Sequence, residues 1–172
     1  LGLAIFGTVK PGDHILISNL EHNSVFRPVA ELARQRRATY SVFPTYRNHS
    51  PLSTPEILNG IISLLRSDTR AIICNHASNI CSHVTPIAEI GKLCRRYGLI
   101  FIVDAAQSAG RIDIDMERDC IDILCLPAHK GLYGIQGCGL LALGENAHPN
   151  TLIEGGSGLA SLPDQMPDEL PE

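Results

Sequence analysis

Two side chains in this sequence have the type and spacing to do chemistry at one shared site: Asp104 and Lys130. Asp104 closes the apolar run Phe101-Ile-Val103, which reads as a short buried strand, and Ala105-Ala106-Gln107 turn away from its end. A second run, Ile121-Asp-Ile-Leu-Cys-Leu126, reads as another strand. It stops just before Pro127-Ala-His-Lys130 and a glycine-rich turn. Open α/β sheets bind ligands outside the carboxyl ends of their strands, so an acid at one end and a lysine past the next can face one pocket. Pyridoxal phosphate needs such a pair: an amine that forms Schiff bases and an acid facing the pyridine nitrogen. Taken singly, each residue also has an ordinary reading, a helix cap for Asp104 and a solvated loop position for Lys130.

The elements that must position this pair follow from apolar spacing and turn chemistry. Leu1-Gly-Leu-Ala-Ile-Phe6 is an apolar run with no cap before it and is expected to enter mid-helix. Lys10-Pro-Gly-Asp13 is a turn, and His14-Ile-Leu-Ile-Ser18 a strand. A helix follows to about Arg37, with Val25, Val29, Leu32 and Ala33 at helical spacing and Asn23 or Ser24 as its cap. Thr39–Phe43 reads as a strand in period two. Thr54 is then expected to cap a helix to about Arg66, with Pro55 at its first position. Arg70–Cys74 is a buried strand, Ile87–Tyr97 a helix closed by Gly98, Asp115–Asp119 a short helical segment and Gly139–Leu143 a final strand. Strands alternating with helices in this order predict a three-layer α/β/α domain with a mostly parallel sheet.

The chain has 172 residues, 44% of them hydrophobic, enough for one domain with a sizeable core. With 14 basic against 18 acidic side chains, it carries no electrostatic footprint for nucleic acid or an anionic membrane. The basic clusters Arg34-Gln-Arg36-Arg37 and Arg95-Arg96 fall at predicted helix ends, where they complement the helix dipole. Of six cysteines, Cys74 and Cys125 lie in strand runs and Cys94 on a helix, which is not the pattern of a secreted disulfide framework. No run is long enough to span a membrane and no signal-peptide pattern opens the chain, so a cytoplasmic setting is expected. Cys74-x-His76 and Cys81-x-His83 have the look of paired metal ligands. Cys74 sits inside an apolar run, however, and zinc pairs usually stand on a knuckle or helix, so no metal is expected.

The wording of the central stretch, VDAAQ followed by HKGLYG-x-QG-x-G, resembles the class V aminotransferase family of pyridoxal-phosphate enzymes, its cysteine-desulfurase-like group in particular. The resemblance runs over nearly the whole chain. It implies a homodimer of fold type I with pyridoxal 5'-phosphate on Lys130, Asp104 at the ring nitrogen and Gln107 at the phenolic oxygen. The motif Glu21-His22-Asn23 implies that His22 stacks on the ring and is available for proton transfer. The segment His76-Ala-Ser78-Asn79 implies that Asn79 lies near the phenolic oxygen and substrate, and His129 is implied in phosphate binding. The loop Gly155-Gly156-Ser157-Gly158 implies that Ser157 reaches a neighbouring subunit's phosphate. Two departures stand out. Pro127 occupies a position usually held by a phosphate-binding Ser or Thr, and Cys81-Ser82-His83 replaces a smaller run.

On this reading residues 1–154 are a cofactor-binding large domain without its N-terminal segment. Residues 155–172 are then a Gly-rich interface loop and polar tail leading to an absent small domain. The resemblance puts the persulfide-forming cysteine and the substrate-carboxylate arginine in that small domain. The expected activity is a cysteine-desulfurase-like lyase acting on a small amino acid, with this stretch inactive and poorly soluble alone. The alternatives are an aminotransferase or epimerase on the same scaffold, or a non-catalytic fragment that keeps the fold. A dinucleotide-binding oxidoreductase is disfavoured because no G-x-G-x-x-G follows a strand.

Overall fold

The computed structural model describes residues 1–153, so the expected interface loop and tail, Ser157 included, lie outside the described residues. In chain order the elements are α1 (Gly2–Thr8), β1 (His14–Ser18), α2 (Asn23–Arg34), β2 (Thr39–Phe43), β3 (Tyr46–Arg47), β4 (Ser50–Pro51), α3 (Thr54–Leu64), β5 (Thr69–Asn75), α4 (Ile87–Tyr97), β6 (Ile100–Asp104), β7 (Ile123–Pro127) and β8 (Gly139–Leu143). Six strands form one sheet in the order β2-β1-β5-β6-β7-β8. All its pairings are parallel except β7 with β8.

Strand side chains alternate between the two faces of a sheet, and the core divides accordingly. Leu16, Ile72, Phe101, Val103 and Leu124 pack with Ile57 and Ile61 of α3 and Ile90 and Leu93 of α4. Their strand neighbours Ile15, Ile17, Ile73, Ile102 and Ile123 pack with Ala4 and Ile5 of α1 and Val25, Val29 and Leu32 of α2. The result is the expected three-layer α/β/α sandwich. Each fully buried Ile or Phe stabilises it by roughly 1.5–3 kcal/mol.

The strands β1, β2 and β8 and the helix α4 have the expected bounds, and Gly98 closes α4 in the left-handed conformation (φ 64°). The helix caps differ from expectation. His22, not Asn23 or Ser24, caps α2 through its own ring. Ser53, not Thr54, precedes α3, and the Glu56 carboxylate accepts from the Ser53 N–H and hydroxyl. Both helices stop short of the expected Arg37 and Arg66. Arg36 has φ 56°, which a right-handed helix cannot continue through. Strand β7 begins at Ile123 rather than Ile121, and the Ile121 N–H donates back to Met116 O of the preceding turn. Residues 115–119 make one hydrogen-bonded turn, Asp119 N–H to Asp115 O, rather than a helix. A hairpin absent from the sequence reading joins β3 to β4 through Asn48 and His49, both at positive φ, as a two-residue hairpin turn of the primed type requires.

Candidate active site

The strand ends that matter lie side by side. Asn75 pairs with Asp104 at the carboxyl ends of β5 and β6, and Asp104 with Cys125 in the middle of β7. By the alternation of each strand, all three side chains point to the face covered by α1 and α2. They line a cavity of about 720 Å3 closed on that side by Leu1–Leu3 and by His22 at the start of α2. Six of the seven expected site residues, His22, Asn79, Asp104, Gln107, His129 and Lys130, line this one cavity. The seventh, Ser157, is outside the described residues.

Each arrives by a local cause. Asp104 ends β6 and is 4% exposed. Its Oδ1 accepts from the Ala106 N–H at 2.9 Å, which starts the turn that carries Gln107. Lys130 follows β7 in a loop tied down by Ala128 N–H to Cys138 O, Gly134 N–H to Ala128 O and Tyr133 N–H to Lys130 O. The Gln107 and Lys130 loops touch through glycine. A Cβ on Gly131 would lie 2.1 Å from Ala109 O, so no larger residue lets them meet this closely. Asn79 sits on a loop closed by the Ala77–Val84 bridge and by Ser78 Oγ, which accepts from the Ile80 and Cys81 N–H groups. The bulkier Cys81-Ser82-His83 run is accommodated with Ser82 at φ 54°.

The His22 ring is fixed by its capping role. Nδ1 accepts from the Ser24 N–H at 3.1 Å and lies 2.8 Å from Ser24 Oγ. An Nδ1 that accepts bears no hydrogen in neutral imidazole, so the proton is at Nε2. Pro127 ends β7 opposite Gly139 and presents neither an N–H nor a polar side chain to the cavity.

Burial pushes the Asp104 carboxyl above its ordinary range, opposed by the Ala106 N–H, Lys130 and His22. Asp104 lines the open cavity with Lys130 and His22 nearby. Among the described residues it has one N–H donor and no cation in contact, so it can face a positively charged hydrogen-bond donor placed there. A protonated pyridine nitrogen is such a group. With a nearby lysine and ring-bearing His22 on the same wall, the residues present fit pyridoxal phosphate.

Sequence reasoning passed over Asn75 and Cys125, which share the cavity wall with Asp104, and Cys138 in the loop after Lys130. The place of Asn75 as last residue of a strand was the available signal. Cys74, once paired with His76 as a metal reading, is wholly enclosed in the core. Among the described residues no three His, Cys, Asp or Glu side chains gather as metal ligands.

The sequence profile of the Aminotransferase class-V family matches residues 2–164. The chain belongs to that family. Cysteine desulfurase IscS of Shewanella woodyi is 36% identical over 132 residues, 77% of this chain and 31% of the relative. This class V chain therefore spans about a third of the length of the curated relatives it matches. Among solved structures, the apo cysteine desulfurase of Thermococcus onnurineus NA1 superposes with TM-score 0.73 at 28% identity, over 84% of this chain and 35% of that one. A C-DES variant described with glycine covalently linked to its PLP cofactor gives TM-score 0.74 at 28% identity, over 84% and 38%.

Proposed function

We propose that this chain is the cofactor-bearing part of a pyridoxal-phosphate-dependent cysteine-desulfurase-like lyase. The observation that carries the reading is the convergence of His22, Asn79, Asp104, Gln107, His129 and Lys130 on one cavity, with Asp104 buried and awaiting a cationic donor. The names of the matched relatives favour a desulfurase over an aminotransferase or epimerase on the same scaffold.

Bound in the cavity, pyridoxal phosphate would supply an electron sink for the pair released at the α-carbon of an amino acid. Lys130 is the amine that would carry it and, once released by substrate, would take up and return a proton at that carbon. Asp104, as a carboxylate, would keep a proton on the ring nitrogen. Gln107 and Asn79 would hydrogen-bond the phenolic oxygen. His22 would lie on the ring face, with its Nε2–H available to the substrate. His129 would serve the phosphate, and because Pro127 offers no donor, more of that task would fall to His129 and to backbone amides. Ser157 would act across a homodimer interface, an assignment that rests on the family resemblance. No helix among the described residues is long and apolar enough to cross a membrane, and a cytoplasmic homodimer is the setting we propose.

The test uses the full-length protein. Borohydride reduction in the presence of pyridoxal phosphate, followed by peptide mapping, should place the label on Lys130. A label on Lys10 or Lys92 instead would remove Lys130 from this role. Mixed dimers of Lys130→Ala and Ser157→Ala subunits, each impaired alone, should regain activity if the site is shared. No recovery after demonstrated subunit exchange would assign Ser157 to its own subunit or to no site.

A further inference from the structure

Glu21 lies one residue before the ring-bearing His22, in the connection that leaves β1. Its carboxyl turns inward between the ends of β1 and β5, where the strand order reverses. Oε1 accepts from Ser18 Oγ at 2.5 Å and from the Asn75 N–H at 2.9 Å. The Asn75 side-chain amide donates to Leu20 O at 2.8 Å, so the same two segments are tied twice. Two oxygens in this cluster, Glu21 Oε2 and Asn75 Oδ1, are buried without a hydrogen-bond partner. No ion pair of the described residues includes Glu21.

We propose that Glu21 is a positioning residue that works as a neutral acid. Its carboxyl clamps the carboxyl ends of β1 and β5, sets His22 and Asn75 on the cavity wall, and leaves Asp104 as the only anion among the described residues there.

A buried carboxylate with two hydrogen-bond donors and no cation is costly, and the proton removes that cost. Protonation also turns Oε2 from an unpaired acceptor into a donor in a pocket that holds an unpaired acceptor oxygen. The titratable groups around it are Cys74 on β5, Asp104 on β6 and its neighbour His22. Burial, with a smaller contribution from the Asp104 charge, pushes the Glu21 carboxyl up to about 8, against the Ser18 and Asn75 hydrogen bonds. Two neighbouring carboxyls with separated proton affinities divide the roles between them. Glu21 keeps the proton, and Asp104 carries the charge toward Lys130 and His22. This inference rests on the cofactor reading above only for what the clamp serves, since the proton on Glu21 follows from the fold.

The experiment compares full-length wild type with Glu21→Gln and Glu21→Ala. Thermal unfolding without added cofactor is followed from pH 4 to 9, and pyridoxal phosphate binding is titrated at pH 7. A carboxyl raised in the folded state contributes stability that is complete below its unfolded value and lost as pH rises to its folded value. Wild-type Tm relative to Glu21→Gln should therefore be constant below about pH 4.5, fall between there and about 8, and level off above. Glu21→Gln, an uncharged mimic of the acid, should bind pyridoxal phosphate within about twofold of wild type, and Glu21→Ala about tenfold more weakly. A Tm difference that is flat from pH 5 to 9 overturns the neutral acid. So does Glu21→Gln binding as poorly as Glu21→Ala. Wild-type affinity in Glu21→Ala overturns the positioning role. If Glu21→Ala does not fold, the wild type and Glu21→Gln comparison decides alone. If wild type itself binds no pyridoxal phosphate, the cofactor reading fails, and the pH comparison still decides where the proton sits.

Discussion

Gly110 and Gly131 face each other across the two loops that leave β6 and β7, so close that a Cβ on Gly110 would lie 2.6 Å from Gly131 O. Gly110 also holds φ 76°, a conformation open to glycine at little cost. The loop bearing Gln107 and the loop bearing Lys130 thus pack directly against each other at these glycines. Gly110→Ala should force them apart, costing roughly 1–3 kcal/mol beyond the cost of its positive φ. In a chain of this size that is a fall of about 2–4 °C in Tm per kcal/mol. Gly12→Ala, where a Cβ meets nothing, gives the cost of positive φ alone for comparison. Equal losses in the two variants would mean the loop contact carries no stability.

In the full-length protein, Asp104→Asn removes the charge proposed to face the ring nitrogen while keeping size and the Oδ1 acceptor for Ala106. The variant should still carry pyridoxal phosphate on Lys130 and lose about a hundredfold or more in turnover. Absorbance of the bound cofactor and the rate are measured on the same sample. Retained turnover would show that Asp104 is only a turn former.

His22 has two separable tasks, capping α2 and presenting a ring. Asn is a good N-cap, so His22→Asn should keep stability, whereas His22→Ala should lose about 1 kcal/mol. Both lose the ring, and both should bind pyridoxal phosphate roughly tenfold more weakly. Denaturant melts and cofactor titrations separate the two outcomes, and unequal affinities would tie binding to the cap rather than the ring.

The cysteines divide by exposure. Burial pushes the thiols of Cys74, Cys94 and Cys125 up, while Cys138 is exposed and lines the cavity. Iodoacetamide on the native protein should label Cys138 first and leave those three unmodified. Pyridoxal phosphate should slow labelling of Cys138, as read by peptide mass spectrometry. Unprotected labelling would put the cofactor elsewhere.

Much of this was legible in the sequence, for a physical reason. Runs such as His14–Ser18 and Gly139–Leu143 are bounded by turn residues, and the helix Ile87–Tyr97 by Pro86 and Gly98, so local chemistry marks their ends. The caps were misassigned where a side chain acts out of type. A histidine ring replaces the usual Ser, Thr, Asp or Asn at α2, and Ser53 precedes a Thr-Pro pair that is itself a plausible start. The six cavity residues were legible as motifs, because each sits in a short segment whose wording is distinctive. Asn75 was legible only as a strand end, and Glu21 was not, since its importance comes from the burial of its carboxyl and from its bond to a strand far away in sequence.

Strand β6 places Asp104 through a count that begins at the far side of the sheet. Gly98 closes α4, Leu99 follows, and five residues later, about 16 Å along the strand, the acid emerges between Asn75 and Cys125. A single residue inserted or lost in that turn would exchange the two faces of β6. Asp104 would then be driven into the apolar layer under α3 and α4, and Val103 or Ala105 would look into the cavity. The chemistry is therefore hostage to a glycine that never approaches it, and chain length at that turn should be as intolerant of change as the acid itself.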